Sequence, residues 1–125
     1  KKVLRHFFGR EIQKKAKKMH LVYITCGGVK EAKKIAFELL KKRLIACANI
    51  VPRIDSFYWW NGRIESAKEA LLLCKTARQK IPGIKKLVKK IHSYDVPCIE
   101  FIEISGQNKE YFDWLNGELK AQKNG

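Results

Sequence analysis

Three features of the sequence predict an α+β sandwich ordered β-α-β-β-α-β with an extra C-terminal helix. Short apolar or β-branched runs alternate with segments whose apolar residues recur at helical spacing. The turn signals Gly27-Gly28, Asn61-Gly62 and Pro82-Gly83 fall where those runs change character. No linker or low-complexity stretch interrupts the order, which is the split βαβ, ferredoxin-like arrangement with a long central hairpin.

Each element has its own signal. Leu21 to Cys26 is β-rich and ends at Gly27-Gly28, after which Val29, Ala32, Ile35, Ala36, Leu39 and Leu40 form a helical stripe. Leu44 to Val51 is almost continuously apolar, as a strand buried on both faces should be, and Pro52 is expected to close it. A further extended stretch, Ile54 to Trp60, stops at Asn61-Gly62, the pair favoured in two-residue hairpin turns. Ala67 to Thr76 reads as the next strand. Pro82-Gly83 sits in the first turn of a helix with the stripe Ile81, Ile84, Leu87, Val88 and Ile91. Pro97 to Ile104 is the last strand, and Asn108 can cap a final helix carrying Tyr111, Phe112, Leu115 and Leu119.

A chain of 125 residues supports one domain. Its 46% hydrophobic and 31% charged content is that of a globular protein, and no apolar run approaches the roughly 20 residues that span a bilayer. The formal charge of +15 comes from 21 Lys and 6 Arg. Residues 1–18 hold 8 of these cations and one acid, with Val3, Leu4, Phe7, Phe8 and Ile12 at helical spacing. They read as a basic, amphipathic N-terminal extension that the fold does not need, and the domain is expected to begin at Met19 and run to Gly125. Neither an unbroken apolar stretch nor a small-residue cleavage site marks a secretory leader, so a cytoplasmic location is expected. Cys26, Cys47, Cys74 and Cys98 lie in separate apolar runs with no C-x-x-C pair, and read as reduced, mostly buried thiols.

The aromatic block Tyr58-Trp59-Trp60 is the most demanding local feature. Successive strand residues face opposite sides of a sheet, so these rings cannot share one core. At least one must meet another chain, a ligand or solvent. A hairpin that exposes both strand edges and aromatic surface argues for assembly.

Several stretches together resemble the CutA family of divalent-cation-tolerance proteins over about residues 19 to 120. They are Leu44-Ile45-Ala46-Cys47-Ala48-Asn49, Tyr58-Trp59-Trp60-x-Gly62-x-Ile64-Glu65, Leu73-Cys74-Lys75-Thr76, His92-x-Tyr94-x-x-Pro97 and Tyr111-x-x-Trp114-Leu115. The resemblance implies a ferredoxin-like protomer in a tight homotrimer built by strand pairing between subunits. It also implies a cleft where protomers meet, and an architecture similar to that of the PII nitrogen-regulatory proteins. Family members are associated with tolerance to copper and other divalent cations. The chain departs from the family pattern in three places. Gly27-Gly28-Val29 stands where Pro-Asp commonly enters the first helix. Ile24 occupies the position of a cysteine implicated in copper binding in some relatives. His92 follows Ile91 rather than a second histidine.

These residues define the candidate sites. His92, with help from a nearby carboxylate or thiolate, is the candidate ligand for a weakly bound Cu(II) or other divalent cation. Glu65 and Lys75 would form a charged pair in a cleft walled by Tyr58 and Trp60, with Tyr94 beside it, if strand pairing brings them together. Glu100 is expected on the exposed face of an edge strand. No Gly-rich phosphate loop, nucleophile elbow or zinc-binding histidine pair is present, so no enzyme is expected. The first functional reading is a trimeric metal-ion or small-ligand binder in cation homeostasis. The second is a PII-like signalling trimer that senses a small anion. A nucleic-acid binder ranks third, because the aromatic signature of RNA-recognition modules is missing.

Overall fold

The computed structural model of the protein describes residues 18–120. Apart from Lys18, the expected basic extension lies outside the described residues. The elements run β1 (Met19–Cys26), α1 (Val29–Lys41), β2 (Cys47–Trp60), β3 (Arg63–Ala77), a single 3₁₀ turn, α2 (Ile81–Ile91), β4 (Ile99–Glu103) and α3 (Lys109–Lys120). The strands make one antiparallel sheet in the order β2-β3-β1-β4. The predicted element order is therefore the observed one. Among the described residues no helix is long and apolar enough to cross a membrane.

Alternation along the strands decides which face holds the core. Val22, Ile24 and Cys26 of β1 and Ala70, Leu72 and Cys74 of β3 point to one face and are buried. The stripes of α1 and α2 close on them, burying Ile35, Leu39, Ile84 and Val88. Each such side chain contributes about 1.5–3 kcal/mol on leaving water. Gly83 lets the start of α2 lie close, since a Cβ there would come within 2.9 Å of Leu44 Cδ2. The helix α1 ends with Arg43 in the left-handed region at φ 56° and the Leu44 N–H donating to the Leu39 carbonyl, a Schellman-type stop.

The opposite sheet face is covered at one end only. There α3 packs Leu115 and Leu119 on Met19 and Ala77. Farther along, cross-strand neighbours Tyr23, Leu73 and Leu71 remain partly exposed, and Val51 is open to solvent.

Two strand predictions are corrected. Pro52 does not end a strand: β2 runs through it, with a register shift between Val51 and Ile54 that absorbs the proline as a bulge. Leu44 to Ala46 lead into β2 rather than belonging to it, and β2 is a half-exposed edge rather than a strand buried on both faces. The strand β3 starts at Arg63, four residues before the expected Ala67. Since β1 pairs with β3 only as far as Ala70, residues 54–60 and 63–69 pair solely with each other. They form a two-stranded arm about 20 Å long at ~3.3 Å per residue.

Candidate functional site

A cluster of convergent polar groups is built where β1 ends and α2 stops. Gly27 and Gly28 carry the chain from β1 into α1 without a side-chain cap on the N-cap residue. Glu31, in the first turn of α1, supplies what the cap does not. One carboxylate oxygen accepts the Gly27 N–H at 2.7 Å, and the other accepts the Ser93 N–H at 2.6 Å. One acidic side chain thus ties the entry of α1 to the exit of α2.

His92 is the residue at that exit, its N–H donating to the Val88 carbonyl at 2.8 Å, with an imidazole wholly buried. Nε2–H donates to the Thr25 carbonyl at 2.9 Å, while Nδ1 accepts the Tyr94 N–H at 3.0 Å. These partners assign the neutral Nε2–H tautomer. The Tyr94 ring leans on the imidazole with centroids 4.7 Å apart, and its hydroxyl donates to Glu69 Oε2 at 2.7 Å. Cys26 Sγ, a Glu31 carboxylate oxygen and a ring nitrogen of His92 all lie within 4.8 Å of one another.

The electrostatics of the cluster follow from burial and from its two carboxylates. Desolvation works to raise the Glu31 pKa, but the Gly27 and Ser93 hydrogen bonds outweigh it and hold the carboxyl below its ordinary value. Burial pushes the Cys26 thiol up to about 12, with the negative charges of Glu31 and Glu69 adding to the rise. Tyr94 is likewise raised, by burial first and then by its bond to Glu69.

The donor set suits a borderline or soft divalent cation, since sulfur, imidazole nitrogen and carboxylate oxygen are the ligands that Zn(II) and Cu(II) take. Two features oppose occupancy. The thiol is protonated at neutral pH, and the one imidazole lone pair already accepts the Tyr94 N–H. Tetrahedral ligand atoms stand about 3.3–3.8 Å apart, so the cluster must also contract. The residues fit in type and position, but hydrogen bonds hold the site closed.

The other candidates scatter over the protomer. Tyr58 and Trp60 sit at the arm's tip, exposed, with Glu65 directly opposite Tyr58. Lys75 lies ten positions from Glu65 on the same strand, about 33 Å away at ~3.3 Å per residue, so the expected Glu65–Lys75 pair does not form within a protomer. Glu65 instead faces Arg63 at 4.0 Å. The Lys75 ammonium donates to the Tyr111 hydroxyl at 3.2 Å and sits 5.2 Å from that ring's centroid, with Cys47 Sγ 3.5 Å from the same hydroxyl. Glu100 is exposed on the edge strand β4. Sequence reasoning did not single out Glu31, Glu69 or Cys26 for this site. A Gly-Gly followed three residues later by Glu is a capping signal that could have found the first.

Comparison with known proteins identifies the family and the fold. The profile of the CutA1 divalent ion tolerance protein family matches residues 20–118. The divalent-cation tolerance protein CutA of Archaeoglobus fulgidus is 46% identical over 99 residues, covering 78% of this chain and 96% of the relative. The Thermus thermophilus protein of the same name is 43% identical over 95 residues, covering 76% and 92%. The solved structure of the A. fulgidus periplasmic CutA superposes with a TM-score of 0.79 at 41% identity, covering 82% of this chain and 99% of that one. The T. thermophilus CutA1 structure gives 0.76 at 42% identity, covering 78% and 94%. The chain belongs to the CutA1 family of divalent ion tolerance proteins.

Proposed function

We propose that this protein serves divalent-cation tolerance as a cytoplasmic homotrimer that binds rather than catalyses, taking up a cation weakly at Cys26, Glu31 and His92. The observation that carries the reading is the grouping of three different ligand types within 4.8 Å at a buried strand end. Its weakness follows from the same geometry: a cation must displace the Cys26 proton and the Tyr94 N–H before it binds. Four unpaired thiols suit a reducing compartment.

Assembly is supported by the arm. A lone two-stranded ribbon is marginal in water, and this one carries Phe57, Trp59, Trp60 and Ile64 at exposures from 63% to 73%. Subunits that pair through it would cover those rings and the open sheet face. Tyr58, Trp60 and Glu65 on the arm and Lys75 and Tyr94 on the body are separated within one protomer, as the two walls of an inter-subunit cleft for a small ligand must be.

Calorimetric titration of Cu(II) tests the reading, in a His6→Ala background so that the histidine of the N-terminal segment does not contribute. One weak site per chain is expected, at least tenfold weaker in each of Cys26→Ser, Glu31→Gln and His92→Ala. Co(II) should show a thiolate charge-transfer band that Cys26→Ser abolishes. Affinity should fall as pH drops, because binding releases a proton. Equal affinity in all four proteins would overturn the site. Cation-independent binding of phosphate metabolites would support an anion-sensing trimer instead.

A further inference from the structure

The helical layer carries a charge pattern that the cation reading does not use and the fold uses at Lys85, whose ammonium lies 5.9 Å from the Phe101 ring centroid. On α1, Lys30, Lys33 and Lys34 are exposed along one side, and on α2 the pairs Lys85-Lys86 and Lys89-Lys90 repeat one turn apart and are all exposed. The two helices cover the same sheet face, so their outer sides form one surface. Carboxylates are nearly absent from it. The helix α2 has none, Glu31 is turned inward onto Gly27 and Ser93, and Glu38 bonds to Lys41 at 3.0 Å. The hydrogen bond from Lys41 first, then the charges of Lys41, Lys42 and Lys34, hold the Glu38 carboxyl below its ordinary value. Among the described residues, Lys41 is the one lysine of α1 and α2 in an ion pair.

We propose that this face docks on the phosphate backbone of a double-stranded nucleic acid, without reading its sequence. Seven exposed lysines on two adjacent helices, within about 6 Å of axis on α1 and about 7.5 Å on α2 at 1.5 Å rise, carry more positive charge than one small anion can neutralise, which fits a polyanion. Phe37 is the one large apolar side chain exposed on these helices, too little surface to insert into a lipid interface. Lysine is a point charge suited to phosphate contact, and the face has neither the arginine forks nor the stacked aromatics that read bases. The sheet, which is the opposite surface, lacks the aromatic signature of RNA-recognition modules. The helical layer also stays outward when the arm and the open sheet face are covered, so the proposal does not depend on the cation site.

Fluorescence anisotropy of the full-length protein with a fluorescein-labelled 20-base-pair duplex of arbitrary sequence, as DNA and as RNA, between 50 and 200 mM salt, tests the proposal. The Lys85→Glu/Lys86→Glu/Lys89→Glu/Lys90→Glu variant is the probe, with charge reversal of four cations within residues 1–18 as the comparison. All four α2 positions are exposed, so the melting temperature should hold and report folding. Expected are sequence-independent binding to both duplexes and at least a 100-fold loss in the α2 variant. Its log K against log salt slope should be shallower by about 3–4, since each lost phosphate contact removes about 0.9. Unchanged binding by the α2 variant, loss only on reversal within residues 1–18, or retention on phosphatidylserine vesicles without duplex binding would each overturn it.

Discussion

At the residue scale, His92 shows how much chemistry one buried side chain can commit to structure. Both ring nitrogens are bonded to backbone groups, at 2.9 and 3.0 Å, so the imidazole joins the end of β1 to the segment after α2. His92→Ala should leave the Thr25 carbonyl and the Tyr94 N–H unpaired beside a cavity, costing about 2–5 kcal/mol. A shift in the urea midpoint with unchanged m-value would measure it, and an unshifted midpoint would show the bonds are replaced by water. Glu31 adds a pH dependence whose sign is fixed by its direction of shift. Its folded pKa lies below the ordinary 4.5, so its contribution is present above the unfolded value and is lost as pH falls through the folded one. Glu31→Ala should therefore lower stability at pH 7 and flatten the acid limb of the stability curve; parallel acid limbs in the two proteins would refute the linkage. The sequence made His92 conspicuous through its turn toward Pro97. It left Cys26 and Glu31 apart from it, because the contact joins residues 31 and 93 across the fold, and no local period records a meeting of two helix ends.

Elements with a period were legible, and elements interrupted by a special residue were not. The stripes of α1 and α2 announced both helices within a residue or so of their observed bounds, because a 3.6-residue repeat survives any tertiary context that buries one face. Pro52 misled for the opposite reason. A proline ends a central strand, but β2 is an edge, where the missing N–H is tolerated at a bulge. The arm's turn was foreseen in Asn61-Gly62, and both residues adopt positive φ, 50° and 76°. Gly62→Ala should cost about 1–2 kcal/mol, the penalty for an L-residue in the left-handed region, because no neighbour lies within 4 Å to clash with the new methyl group. Thermal melting of the two proteins compares them directly; a melting temperature equal to wild type would mean that the turn does not limit the arm's stability.

On the scale of the whole molecule, the sheet poses a problem that one chain leaves open. One face holds a complete core under α1 and α2, while the other is roofed only where α3 reaches it, and the arm extends beyond both layers. The sequence announced this imbalance in the aromatic block Tyr58-Trp59-Trp60, whose rings no single core can hold, but the partner surface lies outside the information of one protomer's pattern. If assembly covers the arm, then Phe57→Ser/Trp59→Ser/Ile64→Ser should separate the subunits and leave the protomer folded, since all three side chains are exposed in the monomer and none belongs to its core. Sedimentation velocity at micromolar concentration should then report three chains for the wild type and one for the variant, with far-ultraviolet circular dichroism nearly superimposable. Wild-type monomer at that concentration would remove the assembly. A variant that stays trimeric would move the interface off this side of the arm, onto Tyr58, Trp60 and the open sheet face.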